Sequence, residues 1–283
     1  MWDVSTGAKL HQLNGHTNRV NSVAFSHDGT HIVSGSCDKS IRMWNASTGA
    51  ELKQLNGHTD WVKSVAFSHN GIYIVSGSDD KSVRVWDTST GAELQKLTNH
   101  TKKVNSVAFS HHDVHIVSGS DDKSVRVWDA STGAELQQLN GHTGFVLSVA
   151  FSHNGTFILS SSSDRSVWVW NTLTGEALHQ LNGHGGYVRS VAFSHDGSHI
   201  VSSSDDKSVR VWNRIHHGIL WTSTMDGWIV SLPGQDHLMW MPQGIREITH
   251  HPYSTLIISQ KGYVHLDLQS CKLGSNWAEC YKP

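Results

Sequence analysis

Histidine, serine and aspartate recur together in this sequence, five times and always in the same order. In one set they are His58, Ser76 and Asp80, followed by Trp86. These types can build an acyl-transfer site: a carboxylate orients an imidazole, and the imidazole takes the proton of a hydroxyl. The other sets are His16, Ser34, Asp38 and Trp44; His100, Ser118, Asp122 and Trp128; His142, Ser160, Asp164 and Trp170; and His184, Ser202, Asp206 and Trp212. Each step is 42 residues. A hydrolase needs such a set once, in a single exposed geometry. Five copies in equivalent places argue for structure, so no catalytic residue is assigned and the chain is read as a non-enzyme.

The elements that must position these residues follow from the repeat. In the unit beginning at Asn56, "VKSVAFS", "YIVSGS", "SVRVW" and "AELQKL" read as four short strands. They are β-branched or alternating, and "HNG", "DDK" and "TSTG" between them have turn-forming compositions. Five such units span residues 14–213, and Trp2 stands one period before Trp44.

Four strands in 42 residues, with "GH" near the start and "WD" or "WN" near the end, resemble the WD40 repeat. The similarity covers Trp2 to Asn213; Asn45, Asn171 and Asn213 depart from it by replacing the aspartate of "WD". The resemblance implies an all-β fold, a propeller of four-stranded blades around a channel. It also implies that each His, Ser, Asp and Trp set is a hydrogen-bonded group inside a blade. A buried imidazole needs a partner on each nitrogen, and an aspartate and a hydroxyl provide them.

The expectation is one propeller over residues 1–283 with six blades, seven being the alternative. Residues 245–268 supply three strands of a closing blade, and residues 7–13 supply its fourth. Residues 216–243 hold about three strands: the outer strand of the fifth blade and an inserted hairpin turning at "MDG". The tail over 269–283 is unrepeated. With "DGWIVS" and "LMWMP", that tail resembles the end of the WD40 arrays of fungal NACHT-type STAND (NLR-like) receptors.

Bulk properties narrow the function classes. Net charge is −2 with histidine neutral, which argues against a nucleic-acid or anionic-membrane binder. No apolar run approaches the roughly 18 residues of a membrane span. Cys37, Cys271 and Cys280 are few and lack CxxC spacing, which favours a reducing, cytoplasmic setting. Of the 22 histidines, His27, His69, His111, His153 and His195 follow the first strand in "FSH" and read as turn residues on the rim opposite the "GH" loops. The pairs His216-His217 and His250-His251 lack a carboxylate or cysteine at ligand spacing. Neither a metal nor a cofactor is expected; no phosphate-binding glycine loop occurs.

The copies differ in few places. After "GH" the first variable column is Asn18, Asp60, Lys102, Gly144 and Gly186. The second is Arg19, Trp61, Lys103, Phe145 and Tyr187, and the third is Asn21, Lys63, Asn105, Leu147 and Arg189. In a propeller these residues share a face at the channel mouth with the turn residues Cys37, Asp79, Asp121, Ser163 and Asp205. Aromatics and arginine on an exposed rim anchor interfaces. The expectation is a monomeric module that binds a protein there; the alternative is a glycan, which the aromatics with nearby Asn and Asp would also suit.

Overall fold

Each 42-residue unit folds as an antiparallel meander whose strands run outward in sequence order. In the first blade these are β1 (Val20–Phe25), β2 (His31–Ser36), β3 (Ile41–Asn45) and β4 (Glu51–Leu55), paired in that order. The second, third and fourth blades repeat the sheet, beginning at Val62, Val104 and Val146. The fifth has three strands, Val188–Phe193, His199–Ser204 and Val209–Asn213. This computed structural model describes residues 1–213 and, beyond them, strands at Leu220–Ser223, Trp228–Leu232, His237–Trp240, Leu256–Ser259, Gly262–Leu266 and Tyr281–Lys282. The described residues contain no helix, so none is long and apolar enough to cross a membrane.

The sequence explains why the sheets stack. The "HIVSGS" strand is buried almost throughout, because both its faces meet protein, and such strands read as near-continuous apolar runs. The outer "ELKQL" strand buries only its last leucine fully, as suits a charged, solvated edge. The core therefore lies in the seams between blades. One seam joins Val33, Ile41, Met43 and Leu55 to Val62, Val65, Ile74 and Trp86 of the next blade. Gly35 lies in it, where a Cβ would stand 2.6 Å from Val62 Cγ1; glycine lets the valines pack this closely, whereas the fourth blade carries buried Ser161 at the equivalent position.

First strands of successive blades lie side by side. Ser22 Oγ accepts from the Val65 amide at 3.1 Å, and Ser64 and Ser106 repeat the bond to Val107 and Val149. At the outer edge, Lys53 Nζ donates to the Thr88 carbonyl at 2.9 Å and Gln95 Nε2 to that of Ser131 at 2.8 Å. His11 Nε2 lies 2.8 Å from the Ser47 carbonyl. The N-terminal residues thus stand to the first blade as each outer strand stands to the blade after it.

The chain divides into two compact units, Met1–Asn213 and Arg214–Pro283. In the second, Leu220–Ser223, Trp228–Leu232 and His237–Trp240 form one sheet of three. These residues had been expected to split between the fifth blade and a hairpin. Strands adjacent in sequence favour pairing with one another. Leu256–Ser259 pairs with Gly262–Leu266, which pairs with Tyr281–Lys282. Residues 7–13, expected as the fourth strand of a closing blade, form no strand; Lys9 makes a single bridge to Trp2. Residues 245–255, 260–261 and 267–268 of that blade lie outside those described, as do the pairs His216-His217 and His250-His251.

The fourth blade shows a coupled exchange. Arg42, Arg84 and Arg126 each pair with an outer-strand glutamate, Glu51, Glu93 and Glu135. In the fourth blade the corresponding residues are Trp168 and Ala177. Trp168 stacks on Trp170 at 5.0 Å and 15°, and its Nε1 donates to Ser166 Oγ at 2.9 Å. A packed ring has replaced an ion pair, a change that is often neutral. Trp168→Arg alone should cost about 1–2 kcal/mol, because it strands a guanidinium opposite Ala177. Adding Ala177→Glu should restore most of that loss. Urea unfolding of the two single variants and the double variant checks this.

Candidate functional site

The five polar sets have one geometry. Each His Nδ1 lies 2.8 Å from its aspartate Oδ2. Each Nε2 lies 2.7 or 2.8 Å from its serine Oγ. The tryptophan Nε1 donates to the same oxygen at 2.8 or 2.9 Å. One proton assignment satisfies the chain: indole N–H to serine, serine O–H to Nε2, and Nδ1–H to carboxylate. The aspartate does more. Asp122 Oδ2 also accepts from the Thr101 amide, and Oδ1 accepts from the Ser124 amide and hydroxyl. It therefore ties the "GH" loop to the turn between second and third strands.

Those distances would suit a nucleophile and base, but the position would not. Ser76, Ser118 and Ser160 are wholly buried and each is held by a tryptophan, so no substrate carbon can reach the oxygen. Burial works to raise the carboxyl pKa of Asp80, Asp122 and Asp164. Hydrogen bonds from the histidine and the turn serine outweigh it and hold each well below the usual carboxylate range. The sets are brackets, identical in every blade.

The variable columns lie at the same edge of the blades as the brackets. In every blade the turn residue's amide donates to the loop carbonyl: Cys37 to Arg19, Asp79 to Trp61, Asp121 to Lys103, Ser163 to Phe145 and Asp205 to Tyr187. The first strand is bulged at Asn21, Lys63, Asn105, Leu147 and Arg189 in turn. Bulges re-aim side chains and occur beside functional sites; here the bulge falls on the third variable column.

Neighbouring loops also touch across blades. The Arg19 guanidinium lies 5.8 Å from the Trp61 ring centre, and Lys102 Nζ lies 6.0 Å from that of Phe145. Arg189 lies 5.5 Å from Tyr187 and makes two bonds to Asp205, of 2.8 and 2.6 Å. Lys103 Nζ is 3.0 Å from Asp79 Oδ2 of the preceding blade. Asn21 and Asn105 donate to the carbonyls of Val62 and Val146. Asn18 and Asp60 fold back on the amides of Arg19 and Trp61. Trp61, Phe145 and Tyr187 stay 40%, 44% and 47% exposed, whereas the valine after each is fully buried.

Sequence reasoning missed two things here. It did not foresee that cations of one blade cover aromatics of the next, or that the "FSH" histidines of adjacent blades stack (below). The signal was present in the period: when first strands lie side by side, residues 42 apart become neighbours.

Four-stranded meanders at a constant period, with first strands side by side, define a β-propeller repeat protein that presents loops at the blade edges. The model of the WD domain, G-beta repeat, matches residues 7–45, 49–87, 91–129, 133–171 and 175–213, more than half of the sequence. The chain belongs to the WD40 family. No match was found among curated proteins. WD40 domains generally act as protein-interaction scaffolds, and the fold is typically non-catalytic.

Proposed function

We propose that this chain is a non-catalytic recognition module that binds a protein through the edge built by the post-"GH" loops. The carrying observation is the bulge at each third-column residue: variation is concentrated at and beside the position where the first strand is irregular, next to the exposed second column. Trp61, Phe145 and Tyr187 supply rigid apolar anchors at an exposed surface, the residue types that carry interface energy. Cations already lie over those rings, which favours an apolar and acidic protein surface over a sugar stacked on an open ring face.

The narrower reading is that the module is the sensing end of a fungal NACHT-type receptor; the resemblance of the "DGWIVS", "LMWMP" and tail segments supports it. On this reading the module works as a monomer in the cytoplasm and needs no cofactor. On this reading the propeller has six blades.

The test compares the parent with a variant in which Arg19, Trp61, Lys103, Phe145 and Tyr187 are all alanine. A partner held only by the parent supports the proposal. A folded variant that keeps every partner refutes it.

A further inference from the structure

At the opposite end of the first strands, His27, His69, His111, His153 and His195 form a continuous stack. Ring-centre separations are 3.7, 3.9, 4.0 and 4.6 Å along the series. Among the described residues, none of these five rings makes a hydrogen bond. His69 and His111 are half-buried, and the other three are exposed. Phe25, Phe67, Phe109 and Phe151 join His27, His69, His111 and His153 in lining a cavity of 330 Å³. A volume of that order holds a small ligand.

The third blade adds a local departure. Its turn reads "HHD" where the others read "HDG" or "HNG", and Asp113 stands at φ 59° where they carry glycine. A non-glycine residue there costs of order 1 kcal/mol. The strained turn delivers the Asp113 carboxylate to the amides of His69 and Asn70, at 2.6 and 2.9 Å. It clamps the second and third blades together at the stack.

Charge decides which ligand suits this wall. Every ring nitrogen without a protein partner can bind a proton or donate a hydrogen bond. The carboxylates of the surrounding turns are committed: Asp28 to Ser26 and Thr30, Asp196 to Ser194 and Ser198, and Asp113 to backbone amides. The remaining titratable groups there are histidines and Tyr73, which begins the second strand of its blade. His112 lies 5.3 Å from His111, His31 and His199 bond to Thr30 and Ser198, and His115 begins the second strand of its blade. Burial, then the neighbouring His69 and His153, push the His111 imidazole below its ordinary pKa. Among the described residues, no group of three His, Cys, Asp or Glu side chains is placed to hold a metal.

We propose that the histidine stack and the phenylalanine-lined cavity beneath it form a binding site for a small multivalent anion, carrying phosphate or carboxylate groups, that is taken up together with protons. Unprotonated, the stack is an aromatic wall. Protonation makes it a row of cations 3.7–4.6 Å apart, and a bound anion relieves their repulsion. Binding therefore tightens as pH falls through the histidine range, and the anion raises the imidazole pKa values.

Calorimetric titration of the full chain with tripolyphosphate, and separately with citrate, tests this at about pH 5.5 and about pH 7.5, on either side of the histidine pKa. The expected result is binding at least about tenfold tighter at the lower pH, with net proton uptake in buffers of different ionisation enthalpy. Binding of tripolyphosphate alone assigns phosphate chemistry; citrate alone assigns carboxylate. His69→Asn with His111→Asn should abolish the tightening. In the unmodified chain, the imidazole C–H resonances of the stacked rings should titrate at higher pH once the anion is present. Equal affinity at both pH values, no binding of either anion, or unmoved imidazole titrations overturns the proposal. The alanine variant of the post-"GH" loops should bind the anion normally, so the two sites fail or stand separately.

Discussion

Replacing Asp122 by alanine lowers stability by about 3–5 kcal/mol, because several buried donors lose their acceptor at about 1–3 kcal/mol each. The reason is the number of donors it leaves behind. The His100 Nδ1–H, the Thr101 and Ser124 amides and the Ser124 hydroxyl all point at this carboxylate. Its side chain is 7% exposed and that of His100 is 1% exposed, so water cannot replace it. The carboxyl pKa is held below its ordinary value, which fixes the pH dependence. Because the folded pKa is the lower one, this stabilisation is complete above the unfolded value near about 4. It is lost as pH falls through the folded pKa. The alanine variant should therefore show a shallower acid dependence as well as a lower urea midpoint at neutral pH. A loss under about 1 kcal/mol, the scale of an exposed pair, would mean that the bracket does not hold the blade.

Trp128→Ala should cost a similar amount, about 3–5 kcal/mol. The indole is 1% exposed and belongs to the seam holding Val83, Val104, Val107 and Ile116. Its removal opens a large cavity and deprives Ser118 Oγ of a donor. Combined with Asp122→Ala, the loss should fall short of the sum, because both changes break one chain of hydrogen bonds. Trp61→Ala is the contrast. That ring is 40% exposed, and its loss should change stability by no more than about 0.5 kcal/mol. Thermal and urea melts of the three single variants and the double variant check all of this.

Much of the fold was legible because repetition separates signal from noise. Strand types, turns and the partners of His58 or His100 recur at one period, and each copy repeats the same physical requirement. The post-"GH" columns could be placed on one edge for the same reason. The bulges could not be read, because the extra residue at Asn21 or Leu147 leaves no mark in the alternation of so short a strand. The stacked histidines were visible individually but not as neighbours. Contact between His69 and His111 depends on how closely adjacent first strands approach, and seam residues such as Gly77 set that distance. Its Cβ would stand 2.7 Å from Val104 Cγ1. Residues 216–243 carry no internal copy for comparison, so their three strands were counted but assigned to different sheets.

The most direct measurement is capture of partners from fungal and bacterial extracts by three versions of the chain. One is the parent. The second carries alanine at Arg19, Trp61, Lys103, Phe145 and Tyr187. The third carries alanine at Ile72 and Val114, which are exposed at the opposite blade edge. Circular dichroism and melting of all three must agree. The account predicts a partner held by the parent and the third version and lost by the second. Partners lost by the third version and kept by the second would contradict it, and would move recognition to the histidine edge.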